Sequence, residues 1–357
     1  MKVGLICFAE REYIPYVENY INVLNKLNIN YKAIFWNRSL NGDTIHDDNN
    51  IFLNIKCQHG SGKLSKIIPI LSYKFKVENI IDRENFSHLI ILTTQPAFLI
   101  HDKLFKEYKN KYILDIRDYT YEEIGFYKKI VNKLIENSYF TAISSKGFLR
   151  FLDPNKKILY AHNITNEEAE VSSYKPIDIT KKINIGFVGS VRYFNENSKL
   201  ITTLDNRRFV LSYVGFRHFD CDLEGFCKKN NISNVYFKGK FNNNEKPNIY
   251  KDIDIINSLY GSQSLEVTTL IPNRLYDALL YKKPILVSKG TYLAEVVTSK
   301  GIGLAVDVFD DDLNNVILDY VNNLNYLNFD SNVKKYFNEI IKEQNNYLDK
   351  INNFLKY

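Results

Sequence analysis

Ile183-Asn-Ile-Gly-Phe-Val-Gly-Ser-Val-Arg192, followed by Lys199, is the stretch on which the fold turns. Ile183 to Val188 is an uncharged run rich in β-branched and aromatic residues, which reads as a buried strand of a parallel sheet. Gly189 and Ser190 then put small residues at the strand's carboxyl edge, where backbone amides approach an anion closely, and Arg192 and Lys199 supply countercharge. A second stretch, Ile271-Pro-Asn-Arg-Leu-Tyr-Asp-Ala-Leu-Leu-Tyr-Lys-Lys-Pro-Ile-Leu-Val-Ser288, predicts a helix that Pro272 opens and Pro284 closes before the next strand. Asp277 lies in that helix, and a carboxylate so placed accepts hydrogen bonds from both hydroxyls of a ribose.

Outward from these stretches the chain alternates short strand-like runs with longer helical periodicity, the pattern of βαβ units. The first half predicts strands at 2–8, 31–36, 51–55, 89–93, 112–116 and 140–143, with an amphipathic helix over 15–27. The second predicts strands near 209–214, 234–237, 253–258 and 284–287, and helices near 223–230, 273–280, 292–299 and 313–324. Between the halves the periodicity lapses into Thr, Asn, Glu and Ser. This places one domain at 1–165, a linker at 166–182 and a second domain at 183–336, with a closing amphipathic helix over 337–357. The fold class is α/β.

A chain of 357 residues suits about two domains at roughly 150 residues each. Forty-five per cent hydrophobic and 25% charged residues exclude wholesale disorder. A net charge of +6 on so large a chain argues against a nucleic-acid partner, and no recognition motif stands out. Four cysteines without a C-x-x-C pair exclude a disulfide framework and point to a reducing, cytoplasmic setting. No apolar run approaches the roughly 20 residues of a spanning helix, so any membrane contact is peripheral.

The two stretches, with Lys283-Pro-Ile285 and the turn Gly301-Ile-Gly303, resemble the C-terminal halves of GT-B glycosyltransferases, specifically the retaining family with many capsule and lipopolysaccharide enzymes. The resemblance implies two Rossmann-like domains facing each other across a cleft, the second binding a nucleotide-diphosphate sugar, a UDP-sugar by expectation. It implies transfer of the sugar to a cell-surface polysaccharide or lipid-linked glycan, with no metal and no cofactor. Carried onto this chain, it has Arg192 and Lys199 neutralise the donor diphosphate. Gly189, Ser190, Pro272, Asn273, Arg274 and Leu275 join the donor site, and Asp277 holds the ribose. A looser resemblance over Leu114-Asp-Ile-Arg-Asp118, Ile143-Ser-Ser145 and His162-Asn163 makes Asp118 the residue that meets the donor sugar or the acceptor hydroxyl.

Thr269 stands where the family's earlier acid would be, and Phe8-Ala-Glu-Arg11 replaces a glycine-rich turn. Two other readings therefore stay open: a nucleotide-sugar 2-epimerase, and an inactive partner of an active transferase. Association into homo- or hetero-oligomers is open as well. Gly60-Ser-Gly-Lys63 fails the phosphate-loop spacing. The acid pairs Asp220/Asp222, Asp252/Asp254 and Asp310/Asp312 look like metal triplets only superficially, and His218 with Cys221 and Cys227 lacks a fourth zinc ligand. Lys63 to Lys76 mixes four lysines with apolar and aromatic residues. It offers a face to an anionic membrane, against the competing reading of a helix packed on the first sheet with its lysines in water.

Overall fold

A computed structural model describes residues 1–40, 48–57, 62, 64–164, 176–218 and 220–356. The linker core at 166–175 and the Gly60-to-Lys63 stretch, apart from Gly62, lie outside them. The expected α/β class is found, in two compact units: Met1–His162 with Glu343–Tyr357, and Asn163–Lys342.

The first unit is built on β1 (Lys2–Cys7), β2 (Asn30–Asn37), β3 (Asn50–Asn54), β4 (His88–Leu92), β5 (Tyr112–Ile116), β6 (Phe140–Ile143) and β7 (Ile158–Tyr160), in the spatial order β3-β2-β1-β4-β5-β6-β7. Every pairing is parallel. The helix Val17–Lys26 buries Val17, Tyr20, Ile21 and Leu24, the stripe its 3.6-residue period predicts. Tyr347, Ile351, Phe354 and Leu355 from the end of the chain complete that core.

The second unit carries β8 (Ile183–Val188), β9 (Phe209–Val214), β10 (Val235–Lys238), β11 (Ile255–Ser258), β12 (Ile285–Ser288) and β13 (Gly303–Val306), ordered β10-β9-β8-β11-β12-β13 and again all parallel. One face is covered by the helices Phe194–Thr203, Leu223–Lys229 and Leu313–Asn322, and the other by Lys246–Lys251, Asn273–Leu280 and Tyr292–Lys300. Helices on both faces are what uncharged strands of this kind require.

The last helix differs from its expected span. It begins at Tyr326 and runs to Phe354. Phe329, Val333, Phe337 and Ile340 pack in the core of the second unit, and the first unit takes the chain from Glu343 onward. Among the described residues no helix is long and apolar enough to cross a membrane.

Candidate functional site

In the second unit β8 is paired with β9 from Ile183 to Val188 but meets β11 only at Ile185 and Gly186. Past Gly186 the β8 and β11 ends diverge. Strand order reverses between these two, and such a switch point at the carboxyl edge is where open α/β sheets bind ligands. Gly189 sits there with φ +126°, and a side chain added to it would meet nothing within 4 Å. Its neighbour Gly215 has φ +137°, and a Cβ there would lie 1.9 Å from the Gly189 carbonyl oxygen. Backbone conformation demands the first glycine, and close approach also demands the second. The N–H groups of Gly189 and Val191 are given to Val214 and Phe216, so strand alternation turns those of Ser190 and Arg192 toward the opening.

Arg192 is exposed, and its Nε donates to Ser190 Oγ at 3.2 Å. Gly189, Ser190 and Arg192 are thus brought together. Lys199 is not. Asn197 faces the sheet, donating to the Arg192 and Tyr193 carbonyls and accepting from Tyr213 and Asn257. At roughly 100° per residue, Lys199 leaves the helix on the side turned away from the sheet.

The second stretch also departs from expectation. Asp277 is only 6% exposed, and its oxygens accept from Lys246 Nζ at 3.0 Å and Tyr250 Oη at 2.7 Å. It ties its own helix to Lys246–Lys251. Arg274 is buried, donates to the Asn257 carbonyl and to Tyr260 Oη, and stacks 3.6 Å from the Phe187 ring centroid. Its guanidinium is spent on anchoring the helix beneath β11. Pro272 is the helix N-cap, Asn273 accepts from Asn163, and Leu275 is a core residue. Thr269 is fully buried, its hydroxyl given to the Leu265 carbonyl.

Two features of this edge were not legible as site elements. Tyr193, in a left-handed conformation after β8, stacks on Tyr260 after β11 with ring centroids 4.6 Å apart, spanning the divergence. Burial pushes the Tyr193 pKa up to about 12, with Tyr260 and Glu266 adding to the rise, so its hydroxyl stays neutral. On the other flank a hollow of about 340 Å³ opens over the ends of β8, β9 and β10, walled by Val191, Gly215, Phe216, Phe237, Gly239 and Lys240. Lys240 lies 5.3 Å from the Phe216 centroid. That volume falls in the range of small-molecule sites. Neither Arg192 nor Lys199 nor Asp277 lines it.

In the first unit the carboxyl edge carries acids. Asp118 is an exposed residue, yet desolvation of its carboxyl raises its pKa above the ordinary aspartate value, Arg117 opposing and Asp115 adding to the rise. Glu122, which nothing in the sequence singled out, is fully buried and accepts from Thr94 Oγ1 at 2.7 Å and from the Thr120 N–H at 2.6 Å, pinning the loop after Asp118. Thr93 at the end of β4 holds φ +78°, a strain of about 1–3 kcal/mol for a residue with a side chain. Ser145 caps the short turn Lys146–Arg150, and His162 bonds Glu343 at 2.8 Å. Burial would raise the Glu343 pKa, but hydrogen bonds from His162 and Lys146 outweigh it and hold it low.

The acid pairs have ordinary employment. Asp222 and Asp312 cap helices, Asp254 accepts from the Asn184 N–H, and Asp220 pairs with His218. Cys221 and Cys227 are buried free thiols, and burial pushes the Cys221 pKa up to about 11. Among the described residues no three His, Cys, Asp or Glu side chains converge on one point.

No protein-family model and no curated protein sequence matches the chain. Solved structures do. An α,α-trehalose-phosphate synthase (UDP-forming) from Burkholderia xenovorans, in complex with glucose-6-phosphate, superposes with TM-score 0.67 at 7% identity over 99% of this chain and 100% of that one. Anabaena HepE in complex with UDP and glucose gives 0.65 at 11% over 99% and 100%. Sucrose-phosphate synthase from Thermosynechococcus elongatus gives 0.66 at 12% over 94% of each. At such identities the likeness speaks for the fold, and the fold is GT-B.

Proposed function

We propose that the chain is a glycosyltransferase that moves a sugar from a nucleotide-diphosphate donor, a UDP-sugar, to a cell-surface or lipid-linked glycan without a metal. The observation that carries this reading is the Gly189-Ser190-Arg192 constellation at the switch point of the second sheet, next to a hollow of nucleoside size. The UDP held by HepE supports the choice of nucleotide. In this reading the base lies against Phe216 and the diphosphate meets the Ser190 and Arg192 amides and the Arg192 guanidinium. Negative charge develops on the departing diphosphate, and a preorganised cation and amides aimed at it lower the barrier. Asp118, its pKa raised, is the base toward the acceptor hydroxyl. Lys199 has a lesser part than its position after Arg192 suggested, and Asp277 reaches a ribose only by releasing Lys246 or Tyr250.

The test is titration calorimetry against UDP and a panel of UDP-sugars, followed by an assay of UDP release with and without lipid-linked acceptors. Binding with acceptor-dependent release is the expected result. Turnover without an acceptor would favour the epimerase, binding without turnover the inactive partner, and no nucleotide binding would remove the proposal.

The lipid-linked acceptor has support of its own. The helix Ile67–Glu84 buries Tyr73, Val77, Ile80 and Ile81 against the first unit, which supports the packing reading for that side of the described residues. Leu64, Ile68, Leu71 and Phe75, spaced four, three and four residues apart, form a second stripe that faces water, with Leu64 83% and Ile68 79% exposed. Lys66, Lys74 and Lys76 flank it, and the first acid after it is Glu78. An apolar stripe edged by cations fits an anionic bilayer, where each lysine near the surface contributes about 1 kcal/mol. The chain is expected to co-sediment with phosphatidylglycerol vesicles and not with phosphatidylcholine ones, and to lose binding at high salt. Ile68→Glu with Phe75→Glu should reduce vesicle binding by at least about tenfold, and unchanged sedimentation would dismiss this face.

A further inference from the structure

Glu196, in the first turn of the Phe194–Thr203 helix, is 8% exposed. Among the described residues no hydrogen-bond donor and no cation meets its carboxylate. Side chains this buried are ordinarily paired; the carboxylate oxygens here are not sealed from solvent and keep an opening beside them. The carboxylate is nevertheless held in place. Gly261 approaches it so closely, at φ +75°, that a Cβ there would lie 2.3 Å from Glu196 Oε1. Ser288 Oγ accepts the N–H groups of Tyr260 and Gly261 at 3.1 and 2.9 Å and fixes that loop.

Glu196 lines a hollow of about 40 Å³ beyond the ends of β11, β12 and β13, shared with Ser262, Gln263, Lys289, Asp307 and Phe309, Lys289 being paired with Asp311 at 2.8 Å. Ser262 and Gln263 are exposed, and Phe309 presents its ring to water at 51% exposure. The lining therefore combines a buried acceptor without a donor, an exposed hydroxyl and amide, an exposed aromatic ring and the Lys289 and Asp307 side chains. Two carboxylates, Glu196 and Asp307, face one ammonium, Lys289, that Asp311 already neutralises, which disfavours a phosphate, and among the described residues no set of three acidic, His or Cys side chains gathers to hold a metal. The complement of such a set is a hydroxyl that donates to the carboxylate while the apolar face of its ring rests on the aromatic. A water takes up about 30 Å³ in the liquid, so the hollow admits a hydroxyl or hydroxymethyl arm while the ring of its owner stays outside.

We propose that Glu196, Ser262, Gln263 and Phe309 form a subsite that recognises a hydroxyl arm of a neutral sugar. A sugar carried on the donor rests on the nucleotide-sugar reading above; a free saccharide does not depend on it. The chemistry is the same, and the experiment separates the two. The full chain is titrated with UDP, with UDP-glucose, UDP-galactose and UDP-N-acetylglucosamine, and, by ligand-observed NMR, with the three free monosaccharides. The wild type is expected to bind at least one sugar-bearing probe. Glu196→Gln, which keeps shape and removes charge, should weaken that binding by about tenfold or more, and Phe309→Ala by about fivefold, with UDP affinity unchanged. Loss confined to UDP-sugars assigns the subsite to the donor, and loss with monosaccharides assigns it to a free saccharide. A wild type that binds no sugar-bearing probe more tightly than UDP alone, and no monosaccharide, overturns the subsite; so does Glu196→Gln binding every probe as the wild type does. A wild type without UDP affinity counts against the nucleotide reading, and the monosaccharide arm then decides this one. Thermal melting of both variants serves as the folding control, since among the described residues Glu196 forms no bond whose loss would unfold the chain.

Discussion

Asp115→Ala is expected to destabilise the first unit by about 3–5 kcal/mol, the usual consequence of removing one partner of a buried ion pair. Asp115 is fully buried on β5. It accepts from Arg117 Nε at 2.6 Å, from Arg117 Nη2 at 3.0 Å and from Tyr20 Oη at 2.8 Å. Burial pulls the Arg117 pKa down, but Asp115 outweighs it and the pKa ends above its ordinary value. Without the carboxylate the guanidinium loses its counter-ion while its bond to the Ala161 carbonyl and its place 4.8 Å from the Tyr16 ring centroid keep it inside the fold. Urea unfolding followed by tryptophan fluorescence reads the effect directly, because Trp36 is buried in the same unit. Arg117→Met leaves Asp115 with its hydrogen bond from Tyr20 Oη, so it should cost less than Asp115→Ala, which leaves the guanidinium without its counter-ion. A loss below about 1 kcal/mol for Asp115→Ala would mean that the pair is solvated.

That pair shows why part of the site was legible and part was not. The motif Leu114 to Asp118 contains two aspartates and an arginine, and a strand's two-residue alternation puts Asp115 and Arg117 on one face with nothing to say that the face is buried. Only tertiary packing reveals that two of the three charges are structural and that Asp118 alone is exposed. The strands themselves were readable because a doubly covered parallel sheet leaves uncharged runs, as at Phe209 to Val214, where expectation and structure coincide. The constellation of Gly189, Ser190 and Arg192 was readable for a related reason: it is local, and a few residues after one strand end must share its edge. Lys199 and Asp277 were not, because whether a helical side chain faces a ligand depends on rotation about the helix axis. Around Asp277 that rotation is decided by Tyr250, 27 residues away in sequence. The helix Tyr326–Phe354 began early for a comparable reason. Its first turns bury Phe329 and Val333 in a core that the periodicity after Phe337 does not reveal.

Arg192→Ala is the substitution expected to separate chemistry from folding. The side chain is exposed and its Nε bond to Ser190 is on the surface, so its removal should change stability by no more than about 0.5 kcal/mol. If the guanidinium faces the departing diphosphate, turnover should fall by about 10²–10³, the loss typical of one preorganised donor at a developing oxyanion. The comparison with Arg192→Lys sharpens the assignment. An ammonium keeps the charge and loses the planar fork, so a diphosphate held in bidentate fashion should leave the lysine variant between wild type and alanine, whereas long-range attraction alone would leave it near wild type. Both variants are measured as UDP release under saturating donor, with melting curves as the folding control. Wild-type turnover in Arg192→Ala would move the leaving-group cation elsewhere. The next residue to test would be Lys240, which stands at the mouth of the 340 Å³ hollow. The charge a departing diphosphate develops has to be met by some cation on this edge, and Arg192 is the one that the backbone of β8 places at the switch point.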